Sequence, residues 1–369
     1  AYGFKGERFA LAVTLTRFLI IAGLFNVLTG ILTGLFQAEK QFFFPIFTTF
    51  LGNVGLVASL FFLHRYLGLN SWTVGQILSA AIAFFPMLAV LYWRYKFFHN
   101  LSYRQVDWKE IQRFGLLLLP LVVAGGISML NQIVDKTIAS GLDAGSIAAL
   151  NFGQRVWGVP ISLLAVPIAT AVFPYFSELA LNGTNRKDYE DRLNKTLGIS
   201  FYIMLPSSFL LYFLSEPVVR LLFERGAFNP QATVLTAFIV RMYALGLFGH
   251  AVSPLLARVF YSFKNTATPL LISALCVGLN IILNIVLSRI MGAAGIALAT
   301  SVVMMVNVVL YGYFLRKYLN PFSGPVILEI IKIVLCSIPI GLICLLSRPV
   351  FLNAEAATLQ GFAALLLKI

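Results

Sequence analysis

The chain alternates apolar runs long enough to cross a bilayer, about 20 residues or more, with short polar connections. This pattern predicts helices over 9–37, 42–64, 71–94, 113–140, 146–176, 193–214, 231–261, 266–289, 293–318 and 325–347. A last apolar piece, from about 356 to 369, is too short to cross. The expected class is therefore an all-α polytopic membrane protein with about ten complete transmembrane helices and one truncated one. Such runs recur along the whole sequence, so none reads as a cleavable signal peptide. The segment 97–112 is polar and aromatic and is expected to lie on the inner surface as a connecting helix. Residues 187–195 read as a second interfacial stretch.

Composition agrees: 59% of residues are hydrophobic, 11% are charged and the mean hydropathy is +0.89, far from soluble domains. The net charge of +13 is scattered through short loops, which marks topology rather than a nucleic-acid partner. One alternate set of connections carries Lys40, the group from Arg94 to Arg113, the group from Arg186 to Lys195, Arg258, Lys264, Arg316 and Lys317. The opposite set carries Lys5, Arg8, Arg65, Arg220, Arg225, Arg289 and Arg348, half as many basic residues. The richer set is expected in the cytoplasm, which starts residue 1 outside. A glycosylation sequon at Asn182 then falls on the inner side and is discounted. Cys276, Cys336 and Cys344 all lie within apolar runs, in no metal-site or disulfide spacing.

An internal repeat appears at a constant offset of 224 residues. Arg17 meets Arg241, Lys40 meets Lys264, Pro45 meets Pro269 and Gly68 meets Gly292. The copies are an even number of helices apart, so they run the same way, as parallel repeats about an axis along the membrane normal. By the same logic about three helices are expected ahead of Ala1. The chain also opens without Met, and the expectation is of a piece cut at both ends.

The polar residues inside the apolar runs carry the candidate chemistry. On the fifth run Asn151 and Arg155 share a helical face that Gly158 and Ser162 continue. An arginine near the middle of a membrane helix costs about 2.5–3.5 kcal/mol even on mild scales, so it is expected to face a cavity or protein interior. The fourth run bears Ser128, Asn131 and Asp135 on one face, and the turn at 141–145 makes these helices antiparallel neighbours. Spacing leaves two readings open. Either Asp135 and Arg155 pair and staple the helices, or Arg155 faces an anionic solute while Asp135 serves a cation. Asn280 and Asn284, four apart, and Thr300 would complete with Asp135 an all-oxygen set for a hard monovalent cation, or else simply cross-link helices. Arg17 and Arg241 either line a cavity or snorkel outward. His64, His99 and His250 are dispersed. No nucleophile, base and orienter grouping and no glycine-rich phosphate loop is present, so an enzyme is not expected.

Three segments resemble one family. Glu216-Pro-Val-Val-Arg-Leu-Leu-Phe-Glu-Arg-Gly-Ala-Phe228, the ALNFGQRVWGVP and IATAVFP pieces between Ser146 and Pro174, and Phe260 to Pro269 with the later GAAGIALATS run are similar to the MurJ (MviN) lipid II flippases of the MOP exporter superfamily. The resemblance implies a MOP-type two-lobed transporter with parallel six-helix repeats. Residues 1–96 would be the second half of the N-lobe, 97–112 a cytoplasmic linker, 113–319 the C-lobe of six helices, and 320–369 additional helices forming a groove for a lipid tail. It implies a flippase that carries lipid II, the undecaprenyl-diphosphate-linked muropeptide, from the inner to the outer leaflet of the bacterial cytoplasmic membrane by alternating access. Its alternatives are a MOP exporter of another polyprenyl-linked oligosaccharide or of drugs, and a non-transporting scaffold for cell-wall synthesis.

Arg155 aligns with the family's cavity arginine and is expected to bind the diphosphate, with Asn151, Gln154, Asn131 and Arg17 as further substrate-binding candidates. The family's sodium site would map onto Asp135, Asn280, Asn284, Thr300 and the carbonyl of Ile296. Position 284 is often acidic there, and Asn removes a charge. Phe152-Gly153-Gln154 replaces the usual Tyr-Ala-Asp, leaving the cavity more positive. The implied coupling is to sodium or the membrane potential, with no other cofactor. The implied partners are lipid II, membrane lipids and cell-wall synthesis proteins.

Overall fold

The computed structural model describes residues 7–39, 41, 43–68, 70–93, 108–169, 176, 186–319, 321, 322 and 324–353. The described residues form twelve α-helices. They are α1 (Glu7–Ala38), α2 (Phe43–Leu67), α3 (Asn70–Trp93), α4 (Trp108–Ser140), α5 (Ser146–Pro160), α6 (Arg186–Phe213), α7 (Ser215–Phe223), α8 (Pro230–Ala244), α9 (Leu247–Ser262), α10 (Ala267–Met291), α11 (Ala293–Leu315) and α12 (Gly324–Asn353). Among them eight spans are long and apolar enough to cross a membrane, and the bent pair α8–α9 makes a ninth. The 33-residue α4 supplies the length for a tenth. Packing divides the chain into two units, residues 4–116 and, chiefly, residues 117–369.

In the first unit α3 packs against both α1 and α2. Leu32 and Phe36 of α1 and Met87 and Leu91 of α3 form a small apolar core, and the outer surface is apolar as well. Large apolar residues such as Leu24, Phe43, Phe61 and Phe62 are exposed, as a lipid-facing surface requires. Small or polar ones are buried, among them Thr48, Gly52 and Ser59 on α2 and Ser71, Thr73 and Gly75 on α3. Their spacing lets two backbones approach closely, the usual basis of helix association in lipid. Ser59 donates to the Ser71 carbonyl at 3.2 Å across this contact.

The second unit is organised around α11, which packs on α8, α9 and α10. Its small-residue run is buried from Ala293 to Ala297. The turn from α10 to α11 is made at Gly292, with φ +59°, and the turn from α2 to α3 at Gly68, with φ +52°. These are the two repeat-related glycines, and both adopt backbone that side chains disfavour. The main core joins α6, α9, α10 and α11 through residues such as Leu197, Phe201, Leu256, Phe260, Ile272 and Tyr311. α12 lies along α6.

Within this unit the connections gather at two ends. At one, Tyr189 of α6 shares a 2.8 Å hydrogen bond with Ser262 of α9, and Phe263 stacks on Tyr318 beyond α11. At the other, the turn after α4 and the loop after α7 line one cavity that includes Ala144, Gly145, Phe223 and Phe228.

Three expectations change. The helix expected over 231–261 is broken at Leu245 and Gly246, where α8 and α9 bend by 42°. The helix expected from 146 passes through a π-helical turn at Ile161–Ala165, between Pro160 and Pro167, because Pro167 has no N–H to give to an ordinary turn. The stretch 187–195 is not a separate interfacial segment but the opening of α6. Residues 97–107, Asn182 and the final apolar piece from 356 lie outside the described residues.

Candidate functional site

The candidate site lies where α4, α5, α8, α10 and α11 meet. Gly153 sets the distance between α5 and α8, since a Cβ there would stand 2.7 Å from the Ile239 side chain. With that approach allowed, Gln154 reaches across and donates to the Tyr243 hydroxyl at 3.2 Å. Tyr243 is buried and stacks on Trp157 with ring centroids 5.2 Å apart. Gln132, Asp135, Lys136, Asn151, Gln154, Tyr243 and Ile296 border a cavity of about 10 Å³, the space of roughly one water.

Asp135 does not pair with Arg155. Its carboxylate Oδ1 accepts a 2.6 Å hydrogen bond from Asn284 Nδ2, which also donates to Asn280 Oδ1 at 2.6 Å. The staple is thus α4 to α10 rather than α4 to α5. Asp135, Asn280 and Asn284 are 7%, 2% and 0% exposed, so the network is shut off from solvent. Thr300 donates to the Ile296 carbonyl at 3.1 Å within its own helix. As it stands the cluster does not fit a cation, because an N–H₂ group occupies the point on which the Asp135 and Asn280 oxygens converge.

Arg155 and Asn151 are exposed on α5. The Arg155 guanidinium carbon lies 6.0 Å from the Phe152 ring centre, and among the described residues no carboxylate lies in ion-pair range. Asn131 is half-buried on α4, with its Oδ1 unpartnered among the described residues. Asn151, Gln154 and Asp135 therefore share one cavity edge. Arg17 is exposed on α1, in the other unit.

Arg241 belongs to a separate cluster. Its Nε donates to Ser215 Oγ at 2.9 Å and a terminal nitrogen lies 3.5 Å from Glu216 Oε2, which fixes α7 to α8. Arg220 and Glu224 pair at 3.4 Å, and Thr233 donates to Glu224 at 2.6 Å. The Glu216–Phe228 segment is thus tied to α8 through Glu216 and Glu224, with Arg220 pairing within it. Tyr243, which joins α8 to α5, was not singled out by sequence reasoning. Its one signal is that it lies four residues after Ile239, on the face opposite Gly153.

Residues 1–358 match the family model described as Lipid II flippase MurJ. Probable lipid II flippases MurJ of Thermotoga maritima and Rhizobium tropici are 30% and 28% identical to this chain. The first alignment covers 85% of this chain and 61% of the relative, the second 82% and 57%. The chain thus spans about three fifths of the length of these relatives. A solved structure of lipid II flippase MurJ in an inward closed conformation superposes with a TM-score of 0.79 at 27% identity, covering 92% of this chain and 69% of that one. A Vibrio cholerae MATE transporter shares the fold, with a TM-score of 0.58 at 12% identity over 87% of this chain and 73% of that one.

Proposed function

The chain belongs to the lipid II flippase MurJ family, and on that premise we propose that it carries a lipid-linked peptidoglycan precursor, lipid II, from the inner to the outer leaflet. It is a multi-pass membrane protein of the inner membrane. It acts as a transporter rather than an enzyme, moving its substrate without making or breaking covalent bonds.

The observation that carries this reading is the setting of Arg155. It is left exposed on a helix of a membrane protein, beside Asn151 and Gln154, with no carboxylate of the described residues to neutralise it. A guanidinium kept available in that way can bind a diphosphate by two parallel charge-assisted hydrogen bonds. Asn151 can add a neutral donor one turn away. Gln154 is already committed to Tyr243, so its part is to hold the orientation of α5. Translocation then consists of rocking two helical bundles about the bound headgroup.

Growth of cells depleted of their own flippase tests the reading. The protein that contains this chain should restore growth, Arg155→Ala should abolish it, and Arg155→Lys should rescue poorly because an ammonium lacks the two-pronged geometry. Normal growth with the alanine variant at normal membrane levels would remove Arg155 from the mechanism.

A further inference from the structure

Asp135, Asn280 and Asn284 offer the oxygens that a hard cation takes, and the sequence alone leaves open whether one binds. Asn284 turns its amide nitrogen inward and gives one hydrogen to Asp135 Oδ1 and the other to Asn280 Oδ1, both at 2.6 Å. We propose that this nitrogen takes a cation's place, so that the junction of α4 and α10 closes without sodium and the chain has no sodium-binding step at this locus.

Charge and geometry both bear on it. The cluster holds one carboxylate, Asp135, and two neutral amides. One N–H serves Asp135 Oδ1 and the other Asn280 Oδ1, so both buried oxygens at this point have a donor. To present an oxygen to a cation, Asn284 would have to turn its amide over and give up both bonds. Its Oδ1 is buried and has no partner among the described residues, so the arrangement accepts an idle acceptor in order to keep both hydrogens on the cluster. Thr300 donates to the Ile296 carbonyl within its own helix rather than turning to the cluster. The substitution that distinguishes this chain from an acidic position 284 is therefore compensated chemically, by a donor where a positive charge would stand. Sodium then cannot tune the α4–α10 contact.

This inference stands apart from the flippase reading, because it concerns ion binding and needs no transported lipid. The purified chain in detergent, unfolded thermally in sodium, potassium or choline chloride at equal ionic strength and assayed for retention of radiolabelled sodium, tests it. The wild type should unfold at the same temperature in all three salts and retain no sodium saturably. Asn284→Asp should acquire saturable retention and a sodium-specific rise in unfolding midpoint of about 2–4 °C at tenfold excess over half-saturation. Saturable retention by the wild type that Asp135→Asn abolishes would overturn the proposal. So would a folded Asn284→Asp protein that retains none. Should that variant not fold, the wild-type measurement decides alone.

Discussion

Arg241 has Ser215 Oγ at 2.9 Å and Glu216 at 3.5 Å, whereas Arg155, on a neighbouring helix, has only the Phe152 ring near its guanidinium among the described groups. The two arginines look alike in the sequence, each a lone cation within an apolar run. What separates them is the short helix α7, whose Ser215 and Glu216 fold back onto α8. Arg241→Ala should therefore remove the Ser215 hydrogen bond and the ion pair to a mostly buried Glu216 and lower stability by about 1–3 kcal/mol, read as a fall in unfolding midpoint, with no such fall for Arg155→Ala. An equal fall for both would mean that Arg155 is a structural residue too. Gly153 belongs to the same scale. Gly153→Val should push α5 off Ile239 and break the Gln154–Tyr243 hydrogen bond, costing about 1–3 kcal/mol. That Asn280 and Asn284 share a face was legible from their spacing of four, and the family resemblance set Asp135 beside them. That Asn284 rather than Arg155 would take Asp135 was not, because spacing along a helix does not say which neighbouring helix lies opposite a face.

At the scale of elements, the apolar runs predicted most helices closely, since a chain in lipid must satisfy its backbone within each helix. The departures have local causes that leave little trace in hydropathy. The break between α8 and α9 falls at Leu245 and Gly246, inside an apolar run; Gly246 N–H turns to the Tyr243 carbonyl at 3.1 Å, and Ser301 of α11 donates to the Met242 carbonyl at 2.6 Å. A hydroxyl more than fifty residues away thus makes the break tolerable, and no local pattern announces it. Which face of a helix is buried was also hidden in α1 to α3, where large apolar residues are both buried, as Phe36 and Met87 are, and exposed, as Phe61 and Phe62 are, while the α2–α3 contact keeps small and polar ones. The Gly292 turn was legible through its repeat partner Gly68. Gly292→Ala should cost about 1–3 kcal/mol, because φ of +59° with ψ of −137° is a region that only glycine occupies at ease. Thermal unfolding checks it, and an unchanged midpoint would show that the turn has another accessible geometry.

For the whole molecule, the basic residues near Arg186, Arg192, Lys264 and Arg316 lie on connections gathered at one end of the second unit, while Asp143 and the loop after α7 lie at the other. The charge bias assigns the first end to the cytoplasm. In intact cells, with Cys336 replaced by Ser, Asp143→Cys should react with a membrane-impermeant thiol reagent and Lys187→Cys should react only after permeabilisation. The reverse pattern would invert the topology. The proposed function rests on Arg155 standing at the edge of α5, with no carboxylate of the described residues in ion-pair range, to hold a diphosphate. The most direct measurement is the fraction of lipid II reached by an externally added hydrolase, in depleted cells carrying the protein that contains this chain. The expected result is substantial cleavage with Arg155, near-background cleavage with Arg155→Ala and little recovery with Arg155→Lys. Full cleavage with the alanine variant at equal membrane level would contradict the account.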